Sequence, residues 1–162
     1  MSTISHAIPL AKPKTYRAIF WGGLIAGALD ITAAFVNSGL RGRSPTWVLQ
    51  SVAGGWLGVD TFKGGLKTAL LGLVTHFFNA TVIAAVYYAA SERLPLLKRQ
   101  AVICGLLYGA AVYLFMYMVV LPLSAYHFKF FNQPISAILT GALIHLFCVG
   151  LPIALVVRRM AK

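Results

Sequence analysis

Apolar residues fall in four long runs, at about residues 16–36, 66–90, 100–121 and 134–157, separated by short clusters of Lys, Arg, Pro, Gly and Ser. Within each run the polar residues are too few to mark a solvated face. About 20 such residues are what a helix needs to cross the ~30 Å hydrocarbon core of a bilayer, where every backbone polar group must be paired internally. The pattern predicts an all-α fold: a four-transmembrane-helix bundle forming a single integral membrane domain over residues 1–162.

The segment between the first two runs behaves differently. Ser44-Pro45-Thr46-Trp47 offers a helix cap followed by a proline suited to the first helical position. Trp47, Val48, Val52, Trp56 and Leu57 then supply apolar bulk over a stretch too short to span. An amphipathic helix over about residues 45–57 is expected in the first outer loop, lying in the interface or dipping back into the fold. Gly54-Gly55 and Gly64-Gly65 are expected to give the sharp turns this needs. Asn37-Ser38-Gly39 should end the first span, Pro122 the third, and Pro152 should kink the fourth.

Two echoes run through the spans. Gly72-Leu73-Val74-Thr75-His76-Phe77-Phe78 and Gly141-Ala142-Leu143-Ile144-His145-Leu146-Phe147 both read Gly-x-x-x-His-x-Phe. Gly23-Leu24-Ile25-Ala26-Gly27-Ala28 likewise matches Gly105-Leu106-Leu107-Tyr108-Gly109-Ala110. Spans one and two then read as one helical hairpin and spans three and four as its parallel repeat, related by an approximate two-fold axis along the membrane normal. The small-x-x-x-small pairs Gly23/Gly27 and Gly105/Gly109 are packing positions where helix backbones approach. Gly72 and Gly141 each lie one turn from a histidine on the same helix face and leave space for another helix or a flat ligand.

Charge orients the bundle. Lys12, Lys14, Arg17, Arg93, Lys98, Arg99, Arg158, Arg159 and Lys162 mark one face, against Arg41, Arg43, Lys63, Lys67 and Lys129 on the other. The richer side faces the cytoplasm by the positive-inside rule, so both termini are expected there. Residues 1–15 lack the apolar core and cleavage site of a secretory signal and read as a short solvated tail.

Composition agrees. Hydrophobic residues make up 59% and charged residues 10%, with a mean hydropathy of +0.81, far from the quarter charged that soluble domains carry. The net charge of +11 would suggest nucleic acid in a soluble protein, but here the cations cluster at the ends of apolar runs, where anionic lipid headgroups meet them. No nucleic-acid partner is expected. Cys104 and Cys148 lie inside apolar runs without a CxxC pair, so neither a disulfide framework nor a thiolate metal site is indicated.

The chain has three acids, Asp30, Asp60 and Glu92, and only Asp30 lies within a span. Counting about 1.5 Å per residue puts it within a few ångströms of the depth of His76 and His145. A carboxylate there is costly unless protonated or paired, so Asp30 is expected beside His76, His145, Asn79 or Thr81. Its repeat equivalent is Val112, so the acid breaks the symmetry. The residues leave several readings open for this polar centre of Asp30, His76, Asn79 and His145. The histidines can hold the helices in register, handle protons or a small polar solute, or ligate a b-type haem between them. Two His and one Asp underligate zinc or copper, so no metal site is expected. Tyr108, Tyr113, Phe115 and Tyr117 do not form one stripe and are expected to serve packing and lipid contact. Hydrolase motifs and paired-carboxylate sites are absent, which leaves enzyme chemistry little to work with.

The run Val74-Thr75-His76-Phe77-Phe78, continuing to Ala89-Ala90-Ser91-Glu92-Arg93-Leu94-Pro95, precedes a glycine-rich third span and a last span ending Arg158-Arg159. Over about residues 70–159 this resembles small bacterial inner-membrane proteins of the YagU-like kind. The resemblance implies a polytopic inner-membrane protein and transfers no catalytic residues. The expectation is a small transport or stress-related membrane protein. The alternatives are a bis-histidine haem electron-transfer protein and an accessory subunit of a larger membrane complex, with homo-oligomers also compatible.

Overall fold

The computed structural model describes residues 13–160. His6, Pro9, Lys12 and Lys162, expected in the terminal segments, lie outside the described residues. The described chain is helical with no strand, and four of its helices are long and apolar enough to cross a membrane.

Helix α1 runs from Pro13 to Gly39 and outlasts the expected span at both ends. Asn37-Ser38-Gly39 continues the helix. The turn comes instead at Gly42, whose φ of 73° suits glycine, after Arg41 N and Arg43 N have both bonded Ser38 O. Helix α2 spans Pro45–Leu57, with Ser44 Oγ accepting from Trp47 N and Pro45 opening the first turn, as its sequence signals require. Gly54-Gly55 does not make the turn expected of it. Both residues are helical, and the chain reverses at Gly58, with φ of 62°. A 3-10 turn, Gly58–Lys63, leads into α3, Gly65–Arg93. A short helix α4, Leu96–Arg99, precedes α5, Ala101–Leu123, and the last helix α6 covers Ile135–Met160. Pro134 is extended and stands outside α6 rather than opening it.

The two prolines inside spans act through helix geometry. Pro122 follows a π-turn at Met116–Val120, and Pro152 follows another at His145–Gly150. A helical proline lacks the N–H for residue i−4 and crowds that carbonyl. Widening the preceding turn relieves the crowding: Leu121 N bonds Met116 O, and Leu151 N bonds Leu146 O, each five residues back. The fourth span is therefore widened over His145–Gly150, just before Pro152.

Helix packing follows small residues. α1 lies on α3, with Gly23 against the Thr81 backbone and Gly27 against Phe77 and Ala80. α5 lies on α6, with Gly105 against Gly150 O, Leu151 and Ala154, and Gly109 against His145 O and Leu146. α1 also packs on α6, Gly22 facing Val156. On the remaining side tyrosines fill the space between α3 and α5. Tyr108 Oη donates to Ile83 O at 2.7 Å, and the Tyr87 and Tyr108 rings lie 4.9 Å apart. The core joins Ala26, Ala84, Val112, Val149 and Ile153 across all four long helices, while Phe20, Leu70, Phe78, Leu107 and Leu143 are exposed around the outside. Small residues inside and large apolar ones outside is the packing that lipid favours, since lipid gives helices no hydrophobic drive to associate.

α2 does not stand apart from this bundle. It packs along the first half of α3, with Leu49 O over Gly72. Gln50 Nε2 donates to Gly65 O at 3.0 Å, Thr61 Oγ1 to Gln50 O at 2.9 Å, and Thr68 Oγ1 to Thr61 O at 2.7 Å. Gln50 and Thr61 are both buried, so this knot satisfies groups that would otherwise be costly. The loop before α6 folds over the other side of α2, with the Tyr126 ring against Gly54 and Ala125 N bonded to Gly55 O.

Candidate functional site

Small residues on α1 set up the site. Gly23, Ala26 and Gly27 carry no bulk, so α3 comes close enough for His76 to reach across, and its Nε2 lies 2.8 Å from Gly27 O. A carbonyl oxygen only accepts, so Nε2 carries the hydrogen and Nδ1 is left as the ring's open acceptor. Nδ1 faces Asp30, 4.0 Å from Oδ2. That separation is longer than a direct hydrogen bond and suits an ion pair or one bridging water. The His76 and Asp30 side chains are 12% and 20% exposed, so both lie largely within the bundle.

His145 is built differently. Its Nδ1 lies 2.9 Å from Gly141 O on its own helix, so Nδ1 carries the hydrogen and Nε2 is the open acceptor. The rings of Tyr113 and Tyr117, one helical turn apart on α5, stand 5.2 and 5.9 Å from the imidazole. Phe130 packs on both tyrosines, and Phe128 on Tyr117. Tyr113 Oη donates to Ile138 O at 2.9 Å and anchors the group.

Asp30, His76 and His145 line one cavity of about 60 Å3, together with Ala26, Gly27, Ala80, Ile83, Met116 and Val149. That is room for water, which needs about 10–15 Å3. It is far below the ~300–1,000 Å3 of pockets that take drug-sized ligands, and a porphyrin does not fit it. The atom a haem iron would take on His76, Nε2, is moreover the one engaged by Gly27 O. Among the described residues no group of three or more His, Cys, Asp or Glu is arranged to hold a metal ion.

Comparison with known protein families, with curated proteins and with solved structures finds no match to the chain. The reading of the site therefore rests on its own geometry.

That geometry brings together three of the four polar residues singled out in the sequence. Asn79 does not line the cavity. Thr81 Oγ1 bonds Phe77 O on its own helix, beneath Gly23, and stays out of the centre. The six packing glycines all meet close neighbours. Gly72 faces Leu49 O, Gly141 faces the Tyr113 ring, and Gly23, Gly27, Gly105 and Gly109 face the partner helices. Gly150 belongs with them, against Gly105 O and Gly109 N, although it stands in no repeated motif. Tyr113 and Tyr117 also belong to the site. Their spacing of four residues was the signal, and grouping them with Tyr108, five residues before Tyr113, hid it.

Proposed function

We propose that the protein is a membrane-embedded proton carrier whose polar centre is Asp30, His76 and His145. The observation that carries this reading is the single cavity that all three line. A carboxyl group and two imidazoles, each with one nitrogen fixed by a backbone carbonyl and the other open, make a short series of proton acceptors. A proton on the Asp30 carboxyl passes through a bridging water to Nδ1 of His76, leaving a carboxylate beside an imidazolium. Nε2 of His145 is the next acceptor on the cavity wall. A cavity of about 60 Å3, with room for water, favours protons over larger solutes. An acid this far inside an apolar helix is costly to keep, which supports a working role over a purely structural one.

The parallel repeat is supported by the glycine pairings. Gly23 stands against Thr81 as Gly105 stands against Gly150, and Gly27 against Phe77 as Gly109 against Leu146. In each pair the α3 or α6 partner lies at the same distance along the chain from its histidine. Under this symmetry Val112, 7% exposed in the core, occupies the place of Asp30. The charge asymmetry of the sequence supports both ends facing the cytoplasm of a bacterial inner membrane, with Arg17, Arg93, Lys98, Arg99, Arg158 and Arg159 on that side.

The test is proton flux into liposomes that hold the purified protein and a pH-sensitive dye. Wild-type protein is expected to dissipate an imposed pH gradient, and Asp30→Asn to reduce the rate to that of empty liposomes while eluting as the same folded species. Equal flux from both proteins would remove Asp30 from the pathway.

A further inference from the structure

A groove of about 380 Å3 runs along the first half of α3, walled by Leu49 of α2 and by Leu66, Ala69, Leu70 and Leu73, with Lys67 as its one charged residue. Leu49, one wall of the groove, meets α3 at Gly72. Leu66 and Leu70 are exposed along it, so it opens outward to the surroundings of the bundle. Its volume falls in the ~300–1,000 Å3 range of ligand pockets, and its walls are leucine and alanine.

Lys67 has no acid left to pair with. The chain has three acids. Asp60 is bound to Lys63 at 2.7 Å, Glu92 is paired with Lys98, and Asp30 lies in the central cavity beside His76. Lys67 makes no ion pair among the described residues, and its counter-ion must come from outside the chain. Other cations share that lack, but Lys67 alone lies beside the apolar groove, two residues inside a helix long enough to span. An apolar slot with a single cation at its end complements one molecular shape, an acyl chain carrying an anionic head.

We propose that the α2–α3 groove binds one anionic phospholipid, with an acyl chain against Leu49, Leu66, Ala69, Leu70 and Leu73 and the phosphate at the Lys67 ammonium. The site is independent of the proton centre and closes the seam where α2 leaves α3.

Native mass spectrometry of the full chain in detergent, with equal amounts of phosphatidylglycerol and phosphatidylcholine of the same chain length, tests it. One phosphatidylglycerol per chain is expected to survive activation that strips the phosphatidylcholine. Lys67→Gln should lower the retained fraction about fivefold, the factor that one lysine near an anionic lipid surface is worth. Arg41→Gln removes an exposed cation away from the groove and should change nothing. Leu70→Ser, at an exposed position in the groove wall, should also lower retention. Equal retention of the two lipids would overturn the proposal, as would equal behaviour of Lys67→Gln and Arg41→Gln. A lipid-free dimer that Leu70→Ser dissolves would overturn it as well, by showing that a second copy covers the groove.

Discussion

His76 and His145 hold the same place in the same short motif, yet one reaches across to another helix and the other folds back on its own. The difference comes from what stands opposite. Against His76, α1 presents Gly27 and Asp30, a bare carbonyl and an acid. Against His145, α5 presents Gly109, Tyr113 and Tyr117, so this imidazole meets aromatic rings where His76 meets an acid. The glycine one turn before each histidine diverges too. Gly72 admits the backbone of α2, whereas Gly141 admits the side chain of Tyr113. A motif of seven residues thus fixes where an imidazole is placed, and the facing helix decides what it does.

The glycines offer the strongest test of this contrast. A Cβ at position 72 would land on Leu49 O, part of a helix backbone that cannot move without taking α2 with it. Gly72→Ala should therefore cost about 3 kcal/mol, the upper end of overpacking, read by thermal unfolding in detergent. A Cβ at position 141 would meet the Tyr113 ring edge at 2.9 Å, which can turn by a few tenths of an ångström. With alanine's better helix propensity as an offset, Gly141→Ala should cost about 1 kcal/mol or less. Equal costs would mean that the two glycines serve one purpose.

Next come the histidines. His76→Ala removes a bond between helices and is expected to cost about 2 kcal/mol, against about 1 kcal/mol for His145→Ala, which removes a bond within its own helix. Tyr113→Phe deletes only the bond to Ile138 O and should cost about 1 kcal/mol while leaving the ring against Gly141. Chemical denaturation of each variant orders them, and a reversed order for the histidines would undo the contrast between the halves.

The smallest effect belongs to a pair outside the helical core. The Lys63 ammonium beside Asp60 holds that carboxyl below its usual range, and Asp60 in turn raises Lys63. A lowered carboxyl contributes stability above its unfolded value and loses it as pH falls through the folded one. A raised amine contributes below its unfolded value and loses it as pH climbs through the folded one. Both side chains are exposed, so Asp60→Asn should leave the unfolding midpoint at neutral pH where wild type has it. Acid and alkaline unfolding curves of the two proteins check this.

Much of the architecture was legible. Ser44-Pro45 announces the start of α2, apolar run length gives the four long helices, and the glycine spacings mark the close helix contacts. Asp30 and the two histidines converge as depth counting along parallel helices predicts. What sequence could not supply was facing information. Gln50, Thr61 and Thr68 are unremarkable apart, and their bonding depends on α2 docking along α3. The widened turns need both a proline and a partner helix to accommodate them. Asn79 shares the helix that carries His76, but only a known rotation of α3 would have kept it off the cavity wall.

The most direct measurement of the central claim is 15N NMR of histidine-labelled protein in lipid nanodiscs, recorded across neutral pH for wild type and Asp30→Asn. The account predicts that the neutral His76 ring carries its hydrogen on Nε2, that Nδ1 is bare, and that Asp30→Asn shifts the Nδ1 resonance. A His76 carrying its neutral-state hydrogen on Nδ1, or a spectrum indifferent to Asp30→Asn, would contradict a shared proton centre.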